Sequence, residues 1–224
     1  ADKILIPKEN QNYYSEKIIY LPDTYQVRDS TQKISNKKFT KKELGLPENS
    51  FVFCCFNKNY KFTPSVFDIW MRLLKKVDDS VLWILKDNEK TSINLKNEAY
   101  MRGVDPNKII FAERLNTNDH LARHKVADLF IDTFPYTAHT TCTDALWAGL
   151  PVITRMGQSF ASRVSASLLN AVGLNELITK TENEYEKLIL EIASNSKKLK
   201  EIRDKLSLNI DNKPLFNTNL YTKN

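Results

Sequence analysis

Residues 127–157 read ADLFIDTFPYTAHTTCTDALWAGLPVITRMG, and their order decides the fold. Ala127 to Thr133 carries Leu129, Phe130 and Ile131 and reads as a buried strand. A loop with Pro135 follows. His139, Thr140 and Thr141 then stand directly before a short helical stretch that carries Asp144, Leu146 and Trp147. Gly149 and Pro151 stop that helix, and Val152 to Thr154 start another strand. The unit is strand–loop–helix–strand, with hydroxyl and imidazole groups at the mouth of the helix. Unpaired N–H groups at a helix N-terminus, together with threonine hydroxyls, suit a phosphate or diphosphate. Asp144, one turn in, suits a ribose hydroxyl. A plainer reading stands beside this one: threonine at a helix start is commonly a cap, and a lone loop histidine is commonly satisfied by its neighbours.

On the N-terminal side, FVFCCF over Phe51–Phe56 is an unbroken apolar run, the pattern of a strand buried on both faces. Thr63 with Pro64 signals a cap and first turn, and the helix it predicts runs to about Val77, with Val66, Ile69, Trp70, Leu73 and Leu74 on one face. Ser80–Lys86 and Lys108–Ala112 are predicted strands. Helices are predicted from about Thr91 to Gly103 and from Asn118 to Lys125. After residue 157 the pattern predicts a helix over Ala161–Ala171, a short strand near Glu176–Ile178, and two helices over Glu182–Ala193 and Lys197–Leu208. Alternating strands and helices of this length imply an α/β fold, a doubly wound, Rossmann-like parallel sheet with helices on both faces. Such sheets bind ligands beyond the carboxyl ends of their strands, near the topological switch point. Three polar loops fall at that edge: Asn57–Lys61, Leu115–Arg123 and His139–Asp144.

Residues 1–30 read differently. Lys3–Ile6 and Ser15–Tyr20 are short apolar segments expected as strands. Alone they cannot bury a core, so they are expected to be the loose tail of a preceding lobe. Residues 31–49 are expected to be a polar, Lys-rich linker, and residues 50–224 the main domain.

The 224 residues carry 33 Lys and Arg against 27 Asp and Glu, a net charge of +6, and a hydrophobic share of 42%. That composition suits a globular domain. The excess lysine is scattered over loops and helix faces, which reads as solvated surface rather than a nucleic-acid footprint. No apolar stretch is long enough to span a membrane. The N-terminus is charged early and lacks both an apolar central region and an initiator Met, so the chain is expected to be an excised piece of a longer protein. Cys54, Cys55 and Cys142 form no disulfide framework, and a reducing cytoplasmic compartment is expected.

The loops carry the chemistry. Lys61 follows a buried strand, where a lysine can reach a diphosphate as a point charge. Lys58 is a second candidate, and both also read as surface lysines. His120 and Arg123 are three apart and share a helix face, suiting a nucleobase by stacking and by edge contact. His120 and His124, with His139, would admit zinc, but HLARH lacks the glutamate of HExxH and Arg123 repels a cation, so no metal is expected. There is no GxGxxG and no Walker loop. With five glycines in all, a phosphate must be held by side chains and a helix N-terminus. No acidic cluster suggests Mg²⁺. Arg163 either faces the ligand edge or pins the loop before it.

These residues lie in long ordered blocks that resemble one family. DLFIDTFPYTAHTTCTDALWAGLPVITRMGQSFASRVSASLL, FCCFNKNYKFTPSVFDIWMRLLKKVDDSVLWIL, IIFAERLNTNDHLARHKVADL and PLFNTNLYT are similar to the C-terminal catalytic half of the O-GlcNAc transferases, bacterial and SPINDLY-like members included. YYSEKIIYLPDTYQVRDS resembles the end of the preceding catalytic lobe. The resemblance implies the C-terminal, donor-binding lobe of a GT-B glycosyltransferase, with a second lobe and an array of tetratricopeptide repeats elsewhere in the protein. It implies inverting, metal-independent transfer of GlcNAc from UDP-GlcNAc to protein Ser or Thr, with no cofactor. Lys61 then stabilises the diphosphate leaving group. His120 and Arg123 contact the uracil end, His139, Thr140 and Thr141 grip the phosphates, and Asp144 binds the ribose. Animal enzymes have glutamine at the position of Lys58 and lysine at that of Thr117. SPINDLY-type relatives use GDP-fucose on a similar scaffold, so an O-fucosyltransferase is the alternative, and a non-catalytic nucleotide-sugar-binding scaffold is another. With half an active site, the chain is expected to fold but not to turn over alone.

Overall fold

The structure is a computed structural model that describes all 224 residues. Six strands form one parallel sheet: β1 (Phe51–Cys55), β2 (Ser80–Leu85), β3 (Ile109–Ala112), β4 (Leu129–Ile131), β5 (Val152–Arg155) and β6 (Ile178–Thr179). Their spatial order is β3-β2-β1-β4-β5-β6. The chain steps outward from β1 to β3, then crosses back to lay β4 on the other side of β1. The β1/β4 boundary is therefore the switch point, and Phe53 pairs with Leu129 across it. The strands are short, but every residue of β4 and nearly all of β1 is buried. Burial on both faces is why they read as continuous apolar runs rather than alternating ones.

Eight helices cover the sheet: α1 (Pro64–Lys76), α2 (Glu89–Met101), α3 (Thr117–Arg123), α4 (Thr140–Trp147), α5 (Val164–Ala171), α6 (Glu182–Ala193), α7 (Ser196–Asn212) and α8 (Thr218–Lys223). The start signals act as the sequence implies. The Thr63 hydroxyl accepts from Val66 N, with Pro64 opening α1. Thr181 and Glu184 form a capping box at α6. Trp70, Leu73 and Leu74 of α1 are buried against the sheet together with Trp83. All three cysteines are free and buried, which suits their use as small apolar side chains. No helix is long and apolar enough to cross a membrane.

The first 30 residues depart from expectation. Neither predicted strand forms; a 3-10 turn spans Lys8–Tyr13 instead. The segment is also pinned rather than loose. The Asp2 carboxylate accepts from Ile4 N at 2.9 Å, Leu5 N at 2.8 Å and Tyr25 N at 2.9 Å, and from the Ser167 hydroxyl on α5. Leu5 and Ile6 are buried in the main core. An apolar tetrapeptide becomes a strand only where an edge is free to pair with it. Here Asp2 turns the backbone, and the two side chains insert into the core. The predicted linker is likewise anchored, by buried Leu46 and by Lys41 Nζ donating to Ser50 O at 2.7 Å.

Candidate functional site

The carboxyl ends of β1 and β4 place two buried polar residues side by side. Asn57 follows β1, and Asp132 follows β4. Asp132 is 0% exposed, and its carboxylate collects four donors: Asn57 Nδ2 at 3.0 Å, Thr133 N at 2.8 Å, Ala138 N at 2.8 Å and Thr154 Oγ1 at 2.7 Å. Burial pushes this carboxyl up, and the hydrogen bonds it accepts oppose that rise. Asn57 Nδ2 also donates to Thr133 Oγ1 at 2.8 Å, and its Oδ1 accepts from the Thr141 hydroxyl. Asn57 thus ties the start of α4 to the end of β1.

That helix start is open. His139 occupies the cap position, and no side chain caps the helix. Cys142 N and Thr143 N both turn back to His139 O, at 3.0 and 3.2 Å. The amides of Thr140 and Thr141 meet no acceptor within the protein. The capping alternative for the two threonines is therefore not realised: Thr141 bonds Asn57, and Thr140 is exposed. Two unpartnered amides at the positive end of a helix dipole form an anion-binding arrangement.

Lys61 closes the 3-10 turn after β1. Its Nζ donates to Thr137 O at 2.9 Å and lies 3.8 Å from the Tyr136 ring centroid. Burial lowers its pKa, and Asp132 acts in the opposite sense. Tyr136 also packs against His139, with ring centroids 5.1 Å apart. His139 Nε2 is buried with no partner. Burial first, then the Lys61 charge, favours its neutral imidazole. Lys58, by contrast, is exposed, and its side chain makes no hydrogen bond or ion pair.

The β3-side loop is built differently. Arg123 is 1% exposed. Its guanidinium bonds Glu113 O and His120 Nδ1, the latter at 2.6 Å, and lies over Phe56 at 4.7 Å. It braces His120 from within. The expected edge contact of Arg123 with a base is not laid out in the structure. His120 packs on Phe56 at 5.2 Å, and its pKa is pushed down to about 4, by burial and then by Arg123. His124 is wholly buried, with Nδ1 2.7 Å from His120 O. Both Nδ1 atoms of the HLARH pair are thus engaged, and no group of three metal-ligating side chains converges anywhere.

Asp144 faces the same edge in an ion pair with Arg28. Burial raises its pKa, and Arg28 opposes that. Arg163 pins the loop rather than facing the edge: Nε donates to Ile4 O at 2.7 Å and an Nη to Gly157 O at 3.0 Å. Sequence reasoning passed over Asp132, Arg28 and Tyr136. Asp132 reads as the end of a strand, and Arg28 reaches its partner across 116 positions. The one available signal was a carboxylate terminating an otherwise apolar strand at the switch point.

A lysine, a neutral histidine and two free amides thus meet at the switch point of a parallel sheet. The sequence profile of glycosyl transferase family 41 matches residues 35–224. The chain belongs to glycosyl transferase family 41. Family 41 relatives align over most or all of its length. A protein of Arabidopsis thaliana named as a probable UDP-N-acetylglucosamine–peptide N-acetylglucosaminyltransferase, SEC, is 36% identical over 230 residues, covering 100% of this chain and 24% of that protein. The Caenorhabditis elegans UDP-N-acetylglucosamine–peptide N-acetylglucosaminyltransferase is 35% identical over 79% of this chain and 15% of its own length. The chain therefore spans a quarter or less of these relatives. Among solved structures, a variant of Thermobaculum terrenum O-GlcNAc transferase superposes with a TM-score of 0.81 at 26% identity, over 99% of this chain and 42% of that one. Anabaena HepE, solved with UDP and glucose, shares the fold at a TM-score of 0.61 and 16% identity, over 89% of this chain and 54% of that one. The fold is that of the C-terminal lobe of a GT-B glycosyltransferase.

Proposed function

We propose that this family 41 chain is the nucleotide-sugar-binding lobe of a protein O-GlcNAc transferase, with UDP-GlcNAc as donor and protein Ser or Thr as acceptor. The observation that carries the reading is the convergence of Lys61 Nζ with the unpartnered amides of Thr140 and Thr141. A nucleoside diphosphate leaving group needs positive charge where its bond to the sugar breaks. A fixed ammonium and a helix N-terminus supply charge that strengthens as the bond stretches, so they favour the transition state over the bound donor.

In this reading the acceptor hydroxyl attacks the anomeric carbon from the face opposite the diphosphate, the configuration inverts, UDP departs toward Lys61, and the hydroxyl proton passes to a base outside this lobe or to the departing β-phosphate. His139 lies beside the same phosphates, with its neutral ring able to donate one hydrogen bond. Thr140 and Thr141 give their amides, and Thr140 adds a free hydroxyl. His120, held by Arg123, meets the base, and Asp144 meets the ribose. Lys58 adds diffuse positive charge at the rim. Protein groups supply the neutralisation, so the transfer is metal-independent. The acceptor site and the rest of the donor pocket belong to a second lobe, and repeats preceding it present the protein substrate.

Calorimetric titration of the chain with UDP, GDP and UDP-GlcNAc, with and without EDTA, tests this. UDP binding that ignores EDTA and weakens in Lys61→Ala and His139→Ala supports it. Preference for GDP moves the donor to GDP-fucose. A folded chain that binds none of the three overturns the reading for this lobe.

A further inference from the structure

The Thr137–Ala138 peptide unit is held at both ends by charge. Its carbonyl accepts from Lys61 Nζ at 2.9 Å, and its N–H donates to Asp132 Oδ1 at 2.8 Å. The two groups of a trans peptide point in opposite directions, so Lys61 and Asp132 grip this one from opposite sides. The peptide dipole runs with its positive end on the carboxylate and its negative end on the ammonium. Each bond polarises the peptide in the sense that strengthens the other.

Asp132 is itself immobile. Its four donors come from three separate segments: Asn57 after β1, Thr133 and Ala138 in the loop after β4, and Thr154 in β5. The strand below it is closed as well, because its own carbonyl accepts from Tyr185 OH at 2.7 Å. Lys61 is different. It ends a four-carbon stem, with the Thr137 carbonyl as its one hydrogen-bond partner and the Tyr136 ring beside it.

We propose that Asp132 is a positioning residue for Lys61, aiming and anchoring its ammonium through the Thr137–Ala138 peptide. The inference rests on the reading of Lys61 as the diphosphate contact. The buried carboxylate touches no part of a ligand. It fixes the carbonyl that Lys61 grips and offsets the cost of holding an ammonium in a half-buried place. The same carboxylate orients Asn57, and through Asn57 the Thr141 end of α4, so one buried charge sets both halves of the phosphate grip. The other titratable groups about Lys61 are Tyr136, His139 and Cys55. Those about Asp132 are Cys55, Cys142 and Tyr185. Burial holds all three near Asp132 in their neutral forms, so Asp132 is the fixed negative charge in the cluster.

Two readouts test this in the same 224-residue chain. The first is a pH titration of the Lys61 side chain by NMR. In Asp132→Asn the midpoint should fall by about one pH unit, a tenfold change in proton affinity. Thr154→Val, which leaves the carboxylate but removes one of its donors, should move it by less in the same direction and serves if Asp132→Asn does not fold. The second is UDP affinity in a double-mutant cycle. Asp132→Asn should weaken binding about tenfold in the native background and only about threefold, the part carried through Asn57 and α4, when Lys61 is already methionine. Equal losses in both backgrounds, or an unmoved Lys61 titration in a folded variant, overturn the inference. If the Lys61 midpoint shifts but the unsubstituted chain does not bind UDP, the positioning stands and the nucleotide reading fails.

Discussion

The two ends of the candidate site are finished to different degrees. At the β1/β4 end, polar groups wait: the amides of Thr140 and Thr141 and the Nε2 of His139 have no partner, and Lys61 has one carbonyl. At the α3 end the bonds are internal: Arg123 bonds Glu113 O and His120, His124 Nδ1 bonds a carbonyl, and the two nitrogens left without partners, Arg123 Nε and His124 Nε2, are shut in among the rings around Phe56. The first end keeps its donors free for an acceptor from outside. The second is a packed wall that offers a shape. Affinity should therefore be concentrated where the protein is unsatisfied, and stability where it is satisfied.

That contrast breaks most visibly at Arg123. Arg123→Ala leaves His120 Nδ1 and Glu113 O without their donor inside a packed cluster, and should cost about 3 kcal/mol of folding stability. Chemical denaturation measures it, and a loss under about 1 kcal/mol would mean that the α3 end is not the braced wall described above. Lys61→Ala should do the reverse: UDP affinity falls roughly 30-fold, about 2 kcal/mol, with stability little changed, as calorimetry and a melting curve on the same sample will show.

The third test uses pH. The His124 pKa is pushed down to about 3 by burial and by the neighbouring His120, against about 6.5 in an unfolded chain. As pH falls below 6.5, the unfolded chain takes up this proton and the folded one does not, so stability is complete above that value and is lost on acidification. Between pH 7 and pH 5 the loss from His124 should be about 2 kcal/mol, and His124→Gln should flatten that slope in denaturant titrations at a series of pH values. The smallest effect belongs to Lys58→Ala. An exposed lysine without partners should change UDP affinity by less than about threefold, and less still at high salt.

Much of the architecture was legible because it is written locally. Thr63–Pro64 and the run FVFCCF each act within a few residues of themselves, and the helix and strand they announce are present. α8 was missed because its six residues, capped by Asn217, carry no apolar stripe. The candidate residues Lys61, His139, Thr140, Thr141 and Asp144 do gather at one edge, since the switch-point rule depends only on strand order. What holds them there was not legible. Asn57 meets Asp132 across 75 positions, and Arg28 meets Asp144 across 116. No periodicity encodes such pairs. Residues 1–30 misled for the same reason: Leu5 and Ile6 are buried in the main core, and the Asp2 that holds them there bonds Ser167 across 165 positions.

Residues 23–28 and 215–224 are clasped together. Tyr221 OH on α8 donates to Tyr25 O at 2.9 Å, Asn224 Nδ2 reaches Asp23 at 3.0 Å, and Arg28 N donates to Leu215 O at 3.0 Å. Arg28 in turn holds Asp144. Removing residues 215–224 would leave the sheet intact yet loosen the Arg28 segment, and with it the hold on Asp144, so a stretch outside the sheet governs the order of a residue at its edge.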